Sequence, residues 1–223
     1  MALALFDLDH TLVSTDTPTL WFDFLIEREL LDPAQIRPQI ARFTADYNAG
    51  TLDYADYIRF ELQNLAGFEM NELLALRETF RCERLRGYIS QKARDLLQKH
   101  REQGDTLVII TATNAFIAEA AAHELGVPHL LATEGQITGQ SFTGEPLGIL
   151  CFREGKIAKL QEWLDGREEN LDGSYFYSDS RNDIPLLEAA THPVAVNPDE
   201  TLAALAAQRG WPVLDLAVRS AAE

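Results

Sequence analysis

Short apolar segments alternate with helical segments from Ser90 onward, and this alternation constrains the fold most strongly. The segments with the length and the β-branched or aromatic content of strands are 106–110, 129–132, 175–177, 194–196 and 213–214. Helical spacing predicts helices over 90–103, 114–125, 156–164, 183–190 and around 202–205. Strands that alternate with helices form a parallel sheet with helices on both faces. We therefore predict an α/β fold with a doubly wound parallel sheet, to which a hairpin around 136–143 is added.

The N-terminal part of the chain begins with one more apolar run, which ends at Asp7. A helical pattern then covers 14–88, with apolar residues at amphipathic spacing. One such stripe is Ile36, Ile40, Phe43 and Tyr47. We interpret these stripes as a small helical core. The predicted organisation is a catalytic core of 1–13 and 89–223, with 14–88 inserted after the first strand as a helical cap.

Polar side chains with catalytic potential stand at the ends of three predicted strands and at one helix start. They are Asp7, Asp9 and Thr11 after the first strand, Thr111 after the next, Lys156 at the start of a helix, and Asp179 and Asp183 after 175–177. Singly, each has an ordinary explanation as a turn former, a helix cap or a solvated charge. Unrelated caps would rarely combine in this order, and ligand sites of parallel sheets lie at the carboxyl ends of the strands. We therefore predict that these side chains form one site.

The composition excludes several functions. A net charge of −16, from 35 acidic and 19 basic residues, makes nucleic acid a poor partner. The two cysteines, Cys82 and Cys151, and the five scattered histidines lack zinc-site spacing. No signal peptide and no apolar run of about 18 residues is visible, so we predict a cytoplasmic protein without a membrane partner. The sequence gives no oligomeric state.

The sequence resembles the haloacid dehalogenase superfamily of phosphohydrolases. The four motifs of that superfamily are matched by Asp7–Thr11, Thr111, Lys156 and Asp179–Asp183, and the resemblance covers nearly the whole chain. The insertion resembles the cap of the phosphoserine-phosphatase-like branch. The segments 110–114 and 174–180 resemble a bacterial subset of that branch, some of whose members are called histidinol-phosphatases. The resemblance implies a phosphatase with a Rossmann-like core that acts on a small phosphorylated metabolite, with histidinol phosphate as one candidate.

The acidic residues suggest the chemistry. A carboxylate is ionised near neutral pH, so Asp7 can attack phosphorus without the base that a serine needs. Water can then hydrolyse the resulting aspartyl-phosphate. Asp9 is suited to protonating the leaving oxygen and then deprotonating the water. Crowding of like charges raises the pKa of one carboxyl, which favours a neutral Asp9.

A magnesium ion is the cofactor that the residue types favour. Hard oxygen ligands without histidine or cysteine suit Mg²⁺ better than zinc. The resemblance implies that the Asp7 carboxylate, the Asp9 main-chain carbonyl and Asp179 bind the metal, with support from Asp183. It also implies that Thr111 and Lys156 hold the phosphoryl oxygens, while the cap excludes water and selects the leaving group.

Substrate choice depends on the inserted helices. In phosphoserine phosphatases the cap carries an acid for the substrate ammonium and an arginine for its carboxylate. Asp16 stands about where the acid is expected, whereas the arginine position falls on Glu61, with Arg59 nearby. An amino alcohol phosphate without a carboxylate, such as histidinol phosphate, therefore fits better than phosphoserine. Solvated helix surface is the alternative interpretation of Asp16 and Glu61.

Three other functions stay open on the sequence alone. A signalling receiver that accepts phosphate on an aspartate groups similar residues, although it lacks the helical insertion. A carbon-halogen hydrolase of the same superfamily would need neither the metal nor Asp9. A phosphosugar mutase is compatible because Asp9 can serve phosphoryl transfer as well as hydrolysis.

Overall fold

Residues 2–218 are described by a computed structural model, in which a single seven-stranded sheet forms the centre of the molecule. The strands are β1 (Leu3–Phe6), β2 (Thr106–Asn114), β3 (His129–Thr138), β4 (Ser141–Leu147), β5 (Tyr175–Ser178), β6 (His192–Val196) and β7 (Val213–Leu214). Their order across the sheet is β4-β3-β2-β1-β5-β6-β7. Neighbouring strands are parallel except β3 and β4, which form an antiparallel hairpin at one edge. The predicted α/β fold with a doubly wound parallel sheet is confirmed.

Nine α-helices connect and cover the strands within the described residues. They are α1 (Thr17–Glu27), α2 (Pro33–Ala49), α3 (Tyr54–Leu65), α4 (Met70–Glu83), α5 (Gln91–Gln103), α6 (Ala115–Leu125), α7 (Glu154–Leu164), α8 (Ile184–Ala189) and α9 (Glu200–Arg209). Local chemistry sets several of their ends. Asp32 accepts a hydrogen bond from the first turn of α2, and Gly50, with φ of 76°, ends this helix in the left-handed region. None of the helices within 2–218 combines the length and the hydropathy that a membrane span requires.

Two strands extend beyond their predicted limits. β2 continues from Ile110 to Asn114, because its polar end runs beneath α3, where the Tyr54 hydroxyl donates to the Ala112 carbonyl at 2.5 Å. β3 passes without a break into the hairpin, since Glu134 already pairs with β4. The hydrophobic runs therefore predict the positions of both strands correctly, but the strands are longer than the runs.

The hydrophobic core lies on both faces of the sheet. One cluster contains the side chains that β1, β2 and β5 direct toward α7, α8 and α9. The larger cluster, on the other face, continues from the sheet and α6 into α1, α3 and α4. The inserted helices lie where the sequence predicted a cap, but they share this cluster with the core. The division into a 14–88 cap and a separate core therefore stays a prediction.

Candidate active site

The first two acidic residues stand where β1 leaves the sheet. The Asp7 N–H donates to the Tyr177 carbonyl at 2.9 Å, which extends the β1–β5 ladder by one residue. The chain then turns, because the Leu8 carbonyl accepts the N–H groups of Leu12 and Val13 at 2.9 and 3.0 Å. This strand end and turn present the side chains of Asp7 and Asp9 to a cavity at the carboxyl edge of the sheet.

Lys156 joins two of the predicted motifs. Its Nζ lies 2.7 Å from Asp7 Oδ1 and 2.7 Å from Asp183 Oδ2, and the Ser178 hydroxyl donates to the same Asp183 oxygen at 2.7 Å. The start of α7 can approach this closely because residue 155 is glycine: a Cβ there would lie 1.9 Å from the Leu150 carbonyl oxygen. Side chains that are far apart in the sequence therefore meet in one buried ion-pair network.

The ionisation of this network is decided by the competition between burial and the attraction of opposite charges. Burial alone would lower the pKa of Lys156, but the carboxylates of Asp183 and Asp7 outweigh it and raise that pKa above its ordinary value. Burial raises the pKa of Asp183 to about 6, with Lys156 opposing the shift and Asp7 adding to it. The lysine therefore stays charged and is shared by two carboxyls.

Asp179 is an acidic residue of the site that does not form an ion pair with Lys156. It follows β5, and the Thr11 hydroxyl donates to its Oδ1 at 3.3 Å. No lysine or arginine within 2–218 forms an ion pair with it. Burial, followed by the charges of Asp7 and Asp183, raises its pKa well above the ordinary value. The site thus holds more negative charge than its own cation balances.

This excess charge and the oxygen donors fit a hard divalent cation. Asp7 and Asp179 line the same cavity. Among the described residues that line it there is no cysteine and one histidine, His10. Within residues 2–218, no three His, Cys, Asp or Glu side chains already stand in a metal-binding arrangement. The predicted ligand set uses two side-chain carboxylates and the Asp9 carbonyl, so this finding does not contradict it.

Asp9 occupies a different environment from Asp7. Its Oδ1 accepts the Thr17 N–H at 2.8 Å, and its Oδ2 accepts the Thr113 hydroxyl. Burial, followed by the charge of Asp16, raises its pKa to about 7, although the two hydrogen bonds oppose the shift. A carboxyl that keeps its proton near neutral pH can donate it to a leaving group.

Thr111, predicted to follow a strand, lies inside β2 and faces the same cavity. Thr111 is buried, lines the cavity and accepts the Thr113 N–H at 3.1 Å, so its own hydroxyl proton is available to a ligand. We did not predict Thr113 as a site residue. Its position two residues after Thr111, on the same face of a strand, was the available signal.

The opposite wall of the cavity comes from the inserted helices. The cavity has a volume of about 400 Å³, and its apolar lining includes Phe22, Ile40, Phe43, Tyr47 and Tyr57. The interpretation of the α2 stripe as helical core is confirmed for Ile36, Ile40 and Phe43, which are buried or pack against the larger cluster, and is wrong for Tyr47, which is 38% exposed. Ile40, Phe43 and Tyr47 also line the cavity.

The two residues proposed for substrate selection lie in different places. Asp16 caps α1 by accepting the Thr19 N–H at 2.8 Å, and it lines the cavity. Glu61 is completely buried and does not line the cavity; its Oε2 accepts the Asn114 side-chain amide at 2.7 Å. The alternative of a solvated surface is therefore wrong for Glu61. Arg59 points to the outside, where it pairs with Glu145 at 2.9 Å.

The fold and the site define an α/β protein with a buried cluster of carboxyls and one lysine at the carboxyl edge of its sheet, and comparison with known proteins identifies the class. Residues 4–188 match the model of the haloacid dehalogenase-like hydrolases, so the chain belongs to that family. It is 40% identical over 218 residues to a histidinol-phosphatase of Neisseria meningitidis serogroup C (strain 8013), a match that covers 96% of this chain and 98% of that protein.

Two further comparisons agree with this assignment. The chain is 30% identical over 220 residues to a phosphoserine phosphatase of Mycobacterium tuberculosis (strain ATCC 25618 / H37Rv), covering 97% of this chain and 71% of that protein. A crystal structure of a protein with unknown function from Bordetella pertussis Tohama I superposes with a TM-score of 0.90 at 41% identity, covering 96% and 98% of the two chains. The chain is therefore a phosphatase of this family, as the sequence predicted, and the receiver interpretation is excluded.

Proposed function

We propose that the protein is a Mg²⁺-dependent phosphomonoester hydrolase that forms an aspartyl-phosphate on Asp7 and acts on an amino alcohol phosphate. Histidinol phosphate is the first candidate substrate. The observation that carries the proposal is the Lys156 ammonium, which lies 2.7 Å from both Asp7 and Asp183 in a cavity that also exposes Thr111 and Asp179. A phosphoryl group in this cavity meets a nucleophile and positive charge at the same point.

The residues divide the reaction between them. Asp7 attacks phosphorus, while Lys156 and the Thr111 hydroxyl hold phosphoryl oxygens. Asp9 gives its proton to the departing alkoxide and then takes one from the water that attacks the aspartyl-phosphate. The Thr17 N–H and the Thr113 hydroxyl hold the two Asp9 oxygens in one orientation for both steps.

The unbalanced charge near Asp179 supports a metal cofactor. Mg²⁺ would be held by the carboxylates of Asp7 and Asp179 and by the Asp9 carbonyl, with Asp183 behind them. When bound, it supplies positive charge against the phosphoryl oxygens. The single ammonium of Lys156 is already shared by two carboxyls, so it does not by itself balance a phosphate dianion.

The charges around the leaving group favour a substrate without a carboxylate. In the part of the chain that the structure describes, Lys156 is the sole lysine or arginine that lines the cavity. A substrate carboxylate would be desolvated there without a cationic partner, which is costly. An ammonium group near Asp16 is favoured instead, and the aromatic wall suits an imidazole ring. The 40% identical histidinol-phosphatase supports the same choice.

Phosphoserine is the second candidate, because a 30% identical relative is a phosphoserine phosphatase. Its carboxylate is the feature that separates the two substrates. We expect kcat/KM for histidinol phosphate to exceed that for phosphoserine by about 100-fold or more, because one unpaired buried charge costs several kcal/mol. The reverse preference would contradict the substrate assignment and leave the chemistry intact.

Phosphate release tests the chemistry itself. We expect release with Mg²⁺, loss of release with EDTA, and a decrease of at least about 1000-fold in Asp7→Asn, because the amide is not a nucleophile. Asp172→Asn, at an exposed aspartate, serves as the matched control. Undiminished release by Asp7→Asn would exclude the proposed nucleophile. A phosphosugar that returns as its isomer, with no free phosphate, would indicate a mutase.

A further inference from the structure

Three of the four inserted helices are fastened to the core. The Trp21 ring of α1 packs edge-on against Phe116 of α6, with ring centroids 6.0 Å apart. The Arg77 guanidinium of α4 donates to the Phe116 carbonyl at 3.0 Å. α3 lies so close to the hairpin that a Cβ on Gly135 would be 2.7 Å from Leu62. These contacts are buried or partly buried, so α1, α3 and α4 are held as parts of the core.

α2 is attached differently. Most of its surface is exposed, and its two buried residues are Ile36, which enters the larger hydrophobic cluster, and Phe43, whose ring contacts Tyr57 and Phe60 of α3. Two exposed ion pairs, Arg37 with Asp23 at 3.3 Å and Arg42 with Asp56 at 3.0 Å, join it to neighbouring inserted helices. Such exposed pairs contribute little. Across the described range 2–218, its hydrogen bonds to the core all lie at its C-terminal end.

Two arginines of the core make this C-terminal connection. The Arg181 guanidinium donates to the carbonyls of Tyr47 at 3.0 Å and Asn48 at 2.7 Å, and Arg153 donates to the Gly50 carbonyl at 3.3 Å. α2 has no basic residue in its own last turn. The arginines therefore supply donors to the Asn48 and Gly50 carbonyls and a second donor to the Tyr47 carbonyl, which already accepts the Gly50 N–H. They also place positive charge at the negative end of the helix dipole.

The same connection reaches the candidate active site. Arg181 lies in the short segment between Asp179 and Asp183, and the Tyr47 hydroxyl shares a 2.7 Å hydrogen bond with Ser180 of that segment. Arg153 donates from Nε to Asn182 of the same segment at 3.0 Å. The contacts that hold α2 are thus made to the segment between Asp179 and Asp183, which carries two of the site carboxyls.

We propose that α2 alone opens and closes the cavity, that Arg181 and Arg153 are positioning residues that hold it closed, and that α1, α3 and α4 stay with the core. The flanking loops suit this motion. Gly50 at one end and Glu29 before the other end both have positive φ, 76° and 59°, so the helix is bounded by turns rather than by continuous structure. The motion of α2 does not depend on the proposed function; only its expected effect on KM rests on it.

Hydrogen–deuterium exchange of the metal-free protein tests the motion without any substrate. In Arg181→Ala we expect amides of 33–50 to exchange about 10-fold faster, while those of α1, α3 and α4 change by less than about twofold. Arg42→Ala is the matched control, because it removes an α2 arginine whose ion pair with Asp56 of α3 is exposed and contributes little. Tyr47→Phe, which removes one hydroxyl, gives a smaller acceleration and serves if Arg181→Ala does not fold. Unchanged exchange of α2, or equal acceleration of all four inserted helices, would overturn the proposal.

Steady-state kinetics test the consequence for substrate. For the preferred phosphomonoester we expect Arg181→Ala to raise KM about 10-fold and to change kcat by less than about threefold, because α2 forms the leaving-group wall and does not contact phosphorus. Arg42→Ala should change neither. A KM equal to that of the native protein would overturn the positioning role. A protein that hydrolyses no phosphomonoester would refute the proposed function, whereas the exchange experiment would still decide the motion of α2.

Discussion

At the scale of single residues, the site depends on one lysine shared by two buried carboxyls. Such a network is stable only while it is complete, because removal of one partner leaves the other charges buried and unpaired. Lys156 is about 2% exposed, and Asp183 about 3%, so solvent cannot replace the lost contact. We therefore expect the lysine to stabilise the fold as well as to serve the proposed chemistry.

Lys156→Met tests this double role. We expect a loss of about 3 kcal/mol or more in the free energy of unfolding at pH 7, since breaking a buried pair typically costs that much. Phosphate release should decrease by at least about 100-fold. Urea unfolding and a phosphate assay measure the two effects. Lys159→Met, the same substitution one turn along α7, is expected to change both only slightly; an equal loss there would contradict the explanation.

Thr113→Val tests the acid role of Asp9. The hydrogen bond from the Thr113 hydroxyl favours the charged carboxylate, so its removal raises the pKa of Asp9 beyond about 7. The acid must be protonated to act, so activity falls as the pH rises through this pKa. We expect the falling limb of kcat/KM to move to higher pH by about one unit. Thr79→Val, at a half-buried threonine of α4 that does not line the cavity, is the control. A limb that stays in place or moves to lower pH would exclude Asp9 as the group.

At the scale of elements, α3 is joined to the catalytic end of β2 by a buried carboxyl. Glu61 accepts hydrogen bonds from the side-chain amide and the backbone N–H of Asn114, and the Asn114 side chain itself accepts the Ile117 N–H as the cap of α6. Burial raises the pKa of Glu61 to about 8, with hydrogen bonds from Tyr57 and Asn114 opposing the shift. The contact between an inserted helix and the core is thus made by a group that is neutral at pH 7.

Glu61→Gln is expected to stabilise the protein at alkaline pH. The unfolded chain ionises Glu61 near pH 4.5, whereas the folded protein keeps this proton up to about pH 8. The stability from this group is full below pH 4.5 and is lost as the pH rises toward 8. A glutamine cannot ionise and still accepts the Asn114 hydrogen bond. The variant should therefore exceed the native protein by a few kcal/mol at pH 8 and by little at pH 5.

Urea unfolding at the two pH values measures this difference, and Glu69→Gln, at an exposed glutamate, controls for the change in net charge. If Glu61→Gln changed the free energy of unfolding equally at pH 5 and pH 8, packing rather than ionisation would explain the effect of Glu61 on stability.

The elements also show which features the sequence could predict. Strand and helix positions and the spacing of the acidic motifs are local patterns, and the edge of a parallel sheet gathers them at one place. Helical periodicity, however, identifies an apolar face without identifying what covers it. The α2 stripe therefore predicts core for all its residues, whereas Tyr47 is exposed and Phe43 is buried at the wall of the cavity. Glu61 was equally compatible with solvent, because its polar partner, Asn114, lies in a distant segment.

At the scale of the whole molecule, negative charge is concentrated where the chemistry requires positive charge. The chain carries a net charge of −16, and five carboxyls line the cavity with one lysine. The fold tolerates this arrangement by raising the pKa values of Asp9, Asp179 and Asp183. A divalent cation would relieve the same repulsion, so metal binding and folding stability are expected to be linked.

Thermal unfolding with and without Mg²⁺ tests this linkage. A ligand that binds only the folded protein at 100 times its Kd stabilises it by about 2.7 kcal/mol, which corresponds to roughly 5 to 10 °C in Tm for a chain of this size. In Asp179→Asn we expect a higher Tm in EDTA than that of the native protein, because a carboxyl whose burial is unfavourable is gone, and no further increase of Tm with Mg²⁺. Asp172→Asn should behave as the native protein. If Asp179→Asn kept the full Mg²⁺ shift of Tm, the ion would bind at another site, because Asp179 is the proposed ligand that forms no ion pair with a basic side chain within 2–218.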